Sequence, residues 1–219
     1  MITKTKVKVC CIKNLEEANL ALKYGADALG LVSEMPSGPG VISEDEIAFI
    51  SANIPDDVNS FLLTSRQSAE EIIKQHKRCK TKTIQLTDKI PNEDYNELKR
   101  SLPAIKIIQV IHVINEESIQ EALEILKNVD GLLLDSGNPN LSIKELGGTG
   151  RIHNWEISKK IVELSEKPVF LAGGLNPLNV VSAIKTVKPF GVDICSGLRK
   201  NGILDENLLK DFMNNVKSV

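Results

Sequence analysis

Two residues at the ends of apolar runs have the chemistry of a base and an acid. Cys10 lies in the run Val7–Ile12, and Asp135 follows Gly131-Leu132-Leu133-Leu134. An aspartate after a leucine run suits a general acid, because burial raises a carboxyl pKa and keeps the proton in place near neutrality. A cysteine acts as a base only as thiolate, so it needs a cation to depress its pKa. Lys8, two residues earlier in a strand, shares its face and could supply that charge. The same period pairs Leu133 with Asp135, and Asp193 with Cys195 and Gly197. It leaves open which face of the first strand turns inward, Lys8-Cys10-Ile12 or Val9-Cys11. Asp193 and His112 are further candidates. Each residue also has a bland reading: a lone cysteine is commonly a small core residue, and a strand-end aspartate commonly caps a loop.

Three glycine-rich loops could hold an anion. They are Gly147-Gly148-Thr149-Gly150, Leu171-Ala172-Gly173-Gly174-Leu175 and Cys195-Ser196-Gly197-Leu198. Glycine lets backbone N–H groups approach a ligand closely, and a cluster of such groups cradles an oxyanion. Any one pair could simply support a turn. Three such loops in a row point to a phosphate site, with Gly148, Thr149, Gly173, Gly174, Asp193, Ser196 and Gly197 as the candidate binding residues.

Something must bring these loops together. Strand-like runs recur at Val7–Ile12, Ala28–Val32, Asn59–Thr64, Thr83–Thr87, Lys106–Val113, Gly131–Ser136, Pro168–Gly174 and Gly191–Gly197, each followed by a segment of helical period. Several are apolar without alternation, as parallel strands buried on both faces should be. Helix starts are marked by Asn14 with Glu17 three residues on, by Ser43 before Glu44-Asp45-Glu46, and by Asn176-Pro177. Gly25 closes the first helix. Eight strand–helix repeats without a long polar linker predict one (β/α)8 barrel over residues 1–219, an open doubly wound sheet being the competitor. In a barrel, the strands' C-terminal ends carry the chemistry, and the loops after strands seven and eight commonly bind phosphate. The connection Gly137–His153 is long enough to suggest a functional loop.

Composition excludes little but agrees. The chain has 219 residues and a formal net charge of −2, which offers no electrostatic reason to expect nucleic acid or an acidic membrane as partner. No apolar run reaches the roughly 20 residues of a membrane span. The N-terminal residues show no secretory signal pattern. Cys10, Cys11, Cys79 and Cys195 are too few and scattered for a disulfide framework or a metal site, so a reduced, cytoplasmic protein is expected.

Taken in order, several of these pieces resemble the phosphoribosylanthranilate isomerase family. They are Val7-Lys8-Val9-Cys10, Gly25-Ala26-Asp27-Ala28-Leu29-Gly30, Leu132–Asp135, Gly147–Gly150 followed by Trp155, Leu171–Pro177, and Gly191-Val192-Asp193 with Ser196-Gly197. The resemblance implies a TIM barrel and an aldose–ketose isomerase that performs an Amadori rearrangement in tryptophan biosynthesis. By carry-over, Asp135 would protonate the ribose ring oxygen and Cys10 would remove the C2 proton. No cofactor or metal is implied, and the protein would be a monomer or homodimer acting on a small phosphorylated sugar.

Three departures are visible. The family follows its cysteine with glycine, where this chain has Cys11. Its strand four ends Gln-Leu-His-Gly, where this chain reads Gln85-Leu86-Thr87-Asp88. Its second loop usually carries an arginine for the anthranilate carboxylate, yet no basic residue lies between Lys23 and Arg66. Losing such a charge-assisted contact costs roughly 1.5–3 kcal/mol. Arg151 or Lys144 could replace it. Alternatively, the chain isomerises a related phosphoribosyl amine or sugar phosphate without the carboxylate, or is a non-catalytic phosphosugar-binding protein.

Overall fold

The computed structural model describes residues 4–219. Its strands are β1 (Lys6–Val9), β2 (Ala28–Val32), β3 (Asn59–Thr64), β4 (Thr83–Leu86), β5 (Lys106–His112), β6 (Gly131–Asp135), β7 (Val169–Leu171) and β8 (Gly191–Ile194). They pair in parallel in sequence order, and β8 returns to β1 with Lys8 opposite Asp193, closing the barrel. Helices α1 (Leu15–Lys23), α2 (Glu44–Ala52), α3 (Ala69–Cys79), α4 (Asn92–Ser101), α5 (Glu117–Leu126), α6 (Trp155–Leu164), α7 (Val180–Val187) and α8 (Glu206–Lys217) follow the strands in turn. A two-stranded ribbon, β9 (Arg199–Lys200) with β10 (Ile203–Leu204), precedes α8.

Alternation sorts the strand residues into two cores. Val7, Val9, Leu62, Ile84, Leu132, Leu134, Val192 and Ile194 face outward and pack with the helices. Cys10, Val32, Phe61, Leu63, Val110, Leu133, Phe170 and Ala172 form the smaller inner cluster. Strands covered on both sides must be apolar on both, which is why β6 reads as an unbroken leucine run.

The helix starts hold at Asn14 and Ser43, whose side chains accept from the N–H of Glu17 and Glu46 at 2.9 and 3.1 Å. Asn176 also caps as expected: its Oδ1 accepts from the N–H groups of Leu178 and Asn179 at 2.9 and 3.2 Å, and the Val180 N–H reaches the Asn176 carbonyl, with the regular part of α7 beginning at Val180.

Strands β1, β7 and β8 also end earlier than expected. Cys11, Gly173 and Gly174 have φ of 61°, 78° and 65°, and left-handed residues cannot continue a strand. The expected absence of disulfides is corrected as well. Cys11 and Cys195 are bonded, 184 residues apart in sequence, because closure of β8 on β1 lays their two loops side by side. Cys10 and Cys79 are free and buried.

Candidate active site

At the C-terminal end of the barrel, one cleft with about 680 Å³ of empty space, partly open to solvent, gathers most of the candidate residues. Its floor is the inner barrel. Cys10, Asp135 and Asp193 all line it, so the face of β1 that turns inward is the one carrying Lys8 and Cys10.

Lys8 is wholly buried, and its Nζ donates to Asp193 Oδ1 at 2.8 Å while standing 5.1 Å over the Phe61 ring. Burial opposes its charge, but Asp193 and Cys10 outweigh that and hold its pKa above the ordinary lysine value. Room for this pair comes from Gly30 on β2. A Cβ there would stand 2.6 Å from Cys10 Sγ and 3.1 Å from Lys8 Nζ.

The Cys10 thiol does not have the depressed pKa expected of it. Burial pushes it up to about 11, Asp193 adds to the rise, and Lys8 only partly offsets both. The ammonium is already neutralised by Asp193, so little of its field is left for the sulfur. Asp135 behaves as expected of an acid: burial raises its pKa against the lowering pull of the Ser136 N–H, which donates to Oδ1 at 2.7 Å. Gly147, with φ of 141°, passes close to the other oxygen, Oδ2. His112, the fourth candidate, is spent on the wall. Its Nε2 donates to the Thr87 carbonyl at 3.0 Å, and its Nδ1 is buried without a partner.

The loops after β6, β7 and β8 form one side of the cleft. Gly148, Thr149, Gly150, Gly173, Gly174 and Ser196 line it together. Gly148, Gly150, Gly173 and Gly174 all have positive φ, from 65° to 78°, so their backbones turn in a way side chains would oppose. Among the described residues, the backbone N–H groups of Gly148, Gly173 and Gly174 have no protein acceptor. Thr149 is held by a 2.8 Å hydrogen bond between its Oγ1 and Ser136 Oγ. Gly197 lies behind the cleft surface, packed against the Leu175 carbonyl.

The other side is built by β2, β3 and β4, with Val32, Leu63, Gln85 and Thr87, and by Met35, Ser37 and Pro39 of the loop after β2, where Pro39 reaches over to pack against Gly148. No lysine or arginine lines the cleft. The two cations considered as replacements are engaged elsewhere. Lys144 pairs with Asp88 at 2.5 Å, and Arg151 pairs with Glu145. Gln85 went unremarked as a site residue in the sequence. A polar residue between Ile84 and Leu86 in a buried strand is the same signal that singled out Asp135. Among the described residues, no group of His, Cys, Asp and Glu could hold a metal ion, and no helix is long and apolar enough to cross a membrane.

Comparison with known proteins agrees with this geometry. The family model described as N-(5'phosphoribosyl)anthranilate (PRA) isomerase matches residues 7–215. N-(5'-phosphoribosyl)anthranilate isomerase 2 of Methanosarcina mazei is 36% identical, covering 97% of this chain and 94% of its own. The isomerase of Aquifex aeolicus is also 36% identical, covering 97% and 98%. A crystal structure of phosphoribosyl anthranilate isomerase in complex with reduced 1-(o-carboxyphenylamino)-1-deoxyribulose 5-phosphate superposes with a TM-score of 0.81. It has 28% identity and covers 98% of this chain and 100% of that one.

Proposed function

Since the chain belongs to the N-(5'-phosphoribosyl)anthranilate isomerase family, we propose that it converts N-(5'-phosphoribosyl)anthranilate to the 1-deoxyribulose 5-phosphate aminoketose in tryptophan biosynthesis, with Cys10 and Asp135 as base and acid. The observation that carries the roles is convergence. Cys10 and Asp135 come from β1 and β6, yet line one cleft beside the glycine loops.

Asp135 gives its proton to the ribose ring oxygen. The C1–O bond breaks, and the nitrogen lone pair forms a C=N bond, leaving a cationic iminium. Cys10, as thiolate, then takes the C2 proton. The C2–H electron pair forms C1=C2, the nitrogen regains its lone pair, and the enolamine tautomerises to the ketone. A thiol with a pKa of about 11 is a poor base in the empty site. The positive iminium beside it favours the thiolate at the moment it is needed. Each group contributes about a hundred- to ten-thousandfold. Gly148, Thr149, Gly173, Gly174 and Ser196 hold the phosphate. Gly197 shapes that loop from behind, and Asp193 anchors Lys8 beneath the sugar. Phosphate binding, remote from the reacting carbons, positions the sugar for both proton transfers.

Turnover is read as loss of substrate fluorescence. Wild type should be active, and Cys10→Ala and Asp135→Asn should each lose at least a hundredfold in kcat while still binding inorganic phosphate. An inactive wild-type protein that binds phosphate would sink the isomerase reading. One observation favours a second reading, in which the aglycone lacks a carboxylate: the cleft has no cationic side chain.

A further inference from the structure

A buried polar group on β4 has no task in the free protein. Gln85 is 3% exposed, and its Oε1 has no hydrogen-bond partner. Its Nε2 donates no hydrogen bond among the described residues either, and the side chain lines the cleft beside Leu63. The oxygen is an acceptor and cannot meet an anion, but the Nε2 donor of the same amide is free to, and an unengaged polar group at a cleft in a native structure calls for a ligand or another reason.

The other polar side chains on that wall are already engaged. Ser37 Oγ donates to the Lys144 carbonyl at 2.6 Å. Thr87 Oγ1 donates to the Thr64 carbonyl at 2.9 Å. Arg66, the nearest cation on the loop after β3, pairs with Glu34 at 3.2 Å outside the cleft. Among the described residues, Gln85 is therefore the one side chain on the aglycone wall with an N–H or O–H donor to spare.

We propose that Gln85 is the specificity-determining residue for the aglycone, donating through Nε2 to the anthranilate carboxylate. This rests on the isomerase reading. A neutral amide can bind a carboxylate in a site without a cation because a hydrogen bond to a charged acceptor is stronger than one between neutral groups. The acid itself brings the charge. Val32, Met35 and Leu63 on the same wall supply an apolar bed for the aromatic ring.

The test uses the full chain, phosphoribosylanthranilate and its analogue lacking the carboxylate, phosphoribosylaniline. Gln85→Leu should raise KM for the carboxylate substrate about 10- to 100-fold, the range of a hydrogen bond to a charged group at 1.4 kcal/mol per tenfold. KM for the aniline analogue should stay within about threefold. Gln85→Glu should be worse than Leu for the acid, because two carboxylates would meet. Gln85→Leu should also keep or raise the melting temperature, since it removes an unsatisfied buried group; a purely structural glutamine would not combine gained stability with lost selectivity. Equal losses on both substrates, or no loss on either, would overturn the proposal. So would a carboxylate-dependent loss found in Arg66→Ala or Lys144→Ala instead. Failure of wild type to turn over either substrate would instead count against the isomerase reading.

Discussion

The two sides of the cleft are made from different parts of the chain. The side formed after β6, β7 and β8 is backbone: glycines at positive φ, with N–H groups left without protein acceptors. The side formed by β2, β3 and β4 is side chains: Val32, Met35, Leu63, Gln85 and Thr87. A phosphate has the same shape whatever it is attached to, and close backbone donors suit it without any particular side chain. An aromatic aglycone is recognised by its shape and one polar group, which only side chains provide. The backbone side thus tolerates divergence at surrounding positions but not an added Cβ. The side-chain side can be retuned by single substitutions, and two of this chain's three departures from its family lie here.

Both sides stand on the Lys8–Asp193 pair, so breaking the pair should produce the largest effect. Lys8→Met leaves Asp193 buried and unpaired, and loss of one partner of a buried pair costs about 3–5 kcal/mol. Chemical denaturation should register that loss, and a change under about 1 kcal/mol would show that Asp193 finds another partner.

The Cys11–Cys195 bond ties the loop after β1 to the phosphate side. A link that closes so long a loop stabilises by about 2–4 kcal/mol. Dithiothreitol should lower the melting temperature of wild type by several degrees and leave the Cys11→Ala/Cys195→Ala double variant unmoved. If both proteins shift alike, the bond is not what the reductant acts on.

Adding a methyl group tests the backbone side directly. In Gly174→Ala the Cβ would lie 2.7 Å from the Arg151 carbonyl, at a φ of 65°. Displacing that loop should weaken binding of inorganic phosphate about 10- to 100-fold, a cost of about 1–3 kcal/mol. Calorimetric titration giving a wild-type Kd would refute a backbone cradle at this position.

The smallest expected effect is in the pH profile of kcat/KM. Turnover needs Asp135 protonated and Cys10 ionised, and burial raises the pKa of both, that of Cys10 to about 11. The two groups then share one proton, and the active arrangement is a constant minor fraction of the singly protonated form. Activity should rise through the elevated Asp135 pKa and fall only near pH 11. A basic limb near pH 8 would mean that the thiol is far more acidic than its burial allows.

Much of this site is legible in the chain. Cys10 and Asp135 stand out because a reactive side chain interrupts an apolar strand, and the glycine loops stand out because no regular element tolerates them. Strand ends were readable at β2 and β3 but not at β7 and β8, which stop where Gly173 and Cys195 leave the extended region. The cap at Asn176 was readable too, although the regular part of α7 starts only at Val180. Gln85 was hidden by its surroundings: in a sequence, a glutamine that pairs in the core, as Gln109 does with Tyr95, looks the same as one that is left free.

By itself, the sequence determined the local matters: the alternation that builds eight strands, the caps at Asn14 and Ser43, and the residue types at strand ends. Those depend on neighbours a few positions away. Only the tertiary structure decided that Lys8 and Cys10 turn inward, that Lys8 meets Asp193, that Cys11 bonds Cys195, and that no cation reaches the aglycone wall. Each of these depends on β8 closing against β1 or on the packing of loops from distant strands. Such contacts form between residues nearly the whole chain apart, and no local pattern encodes them.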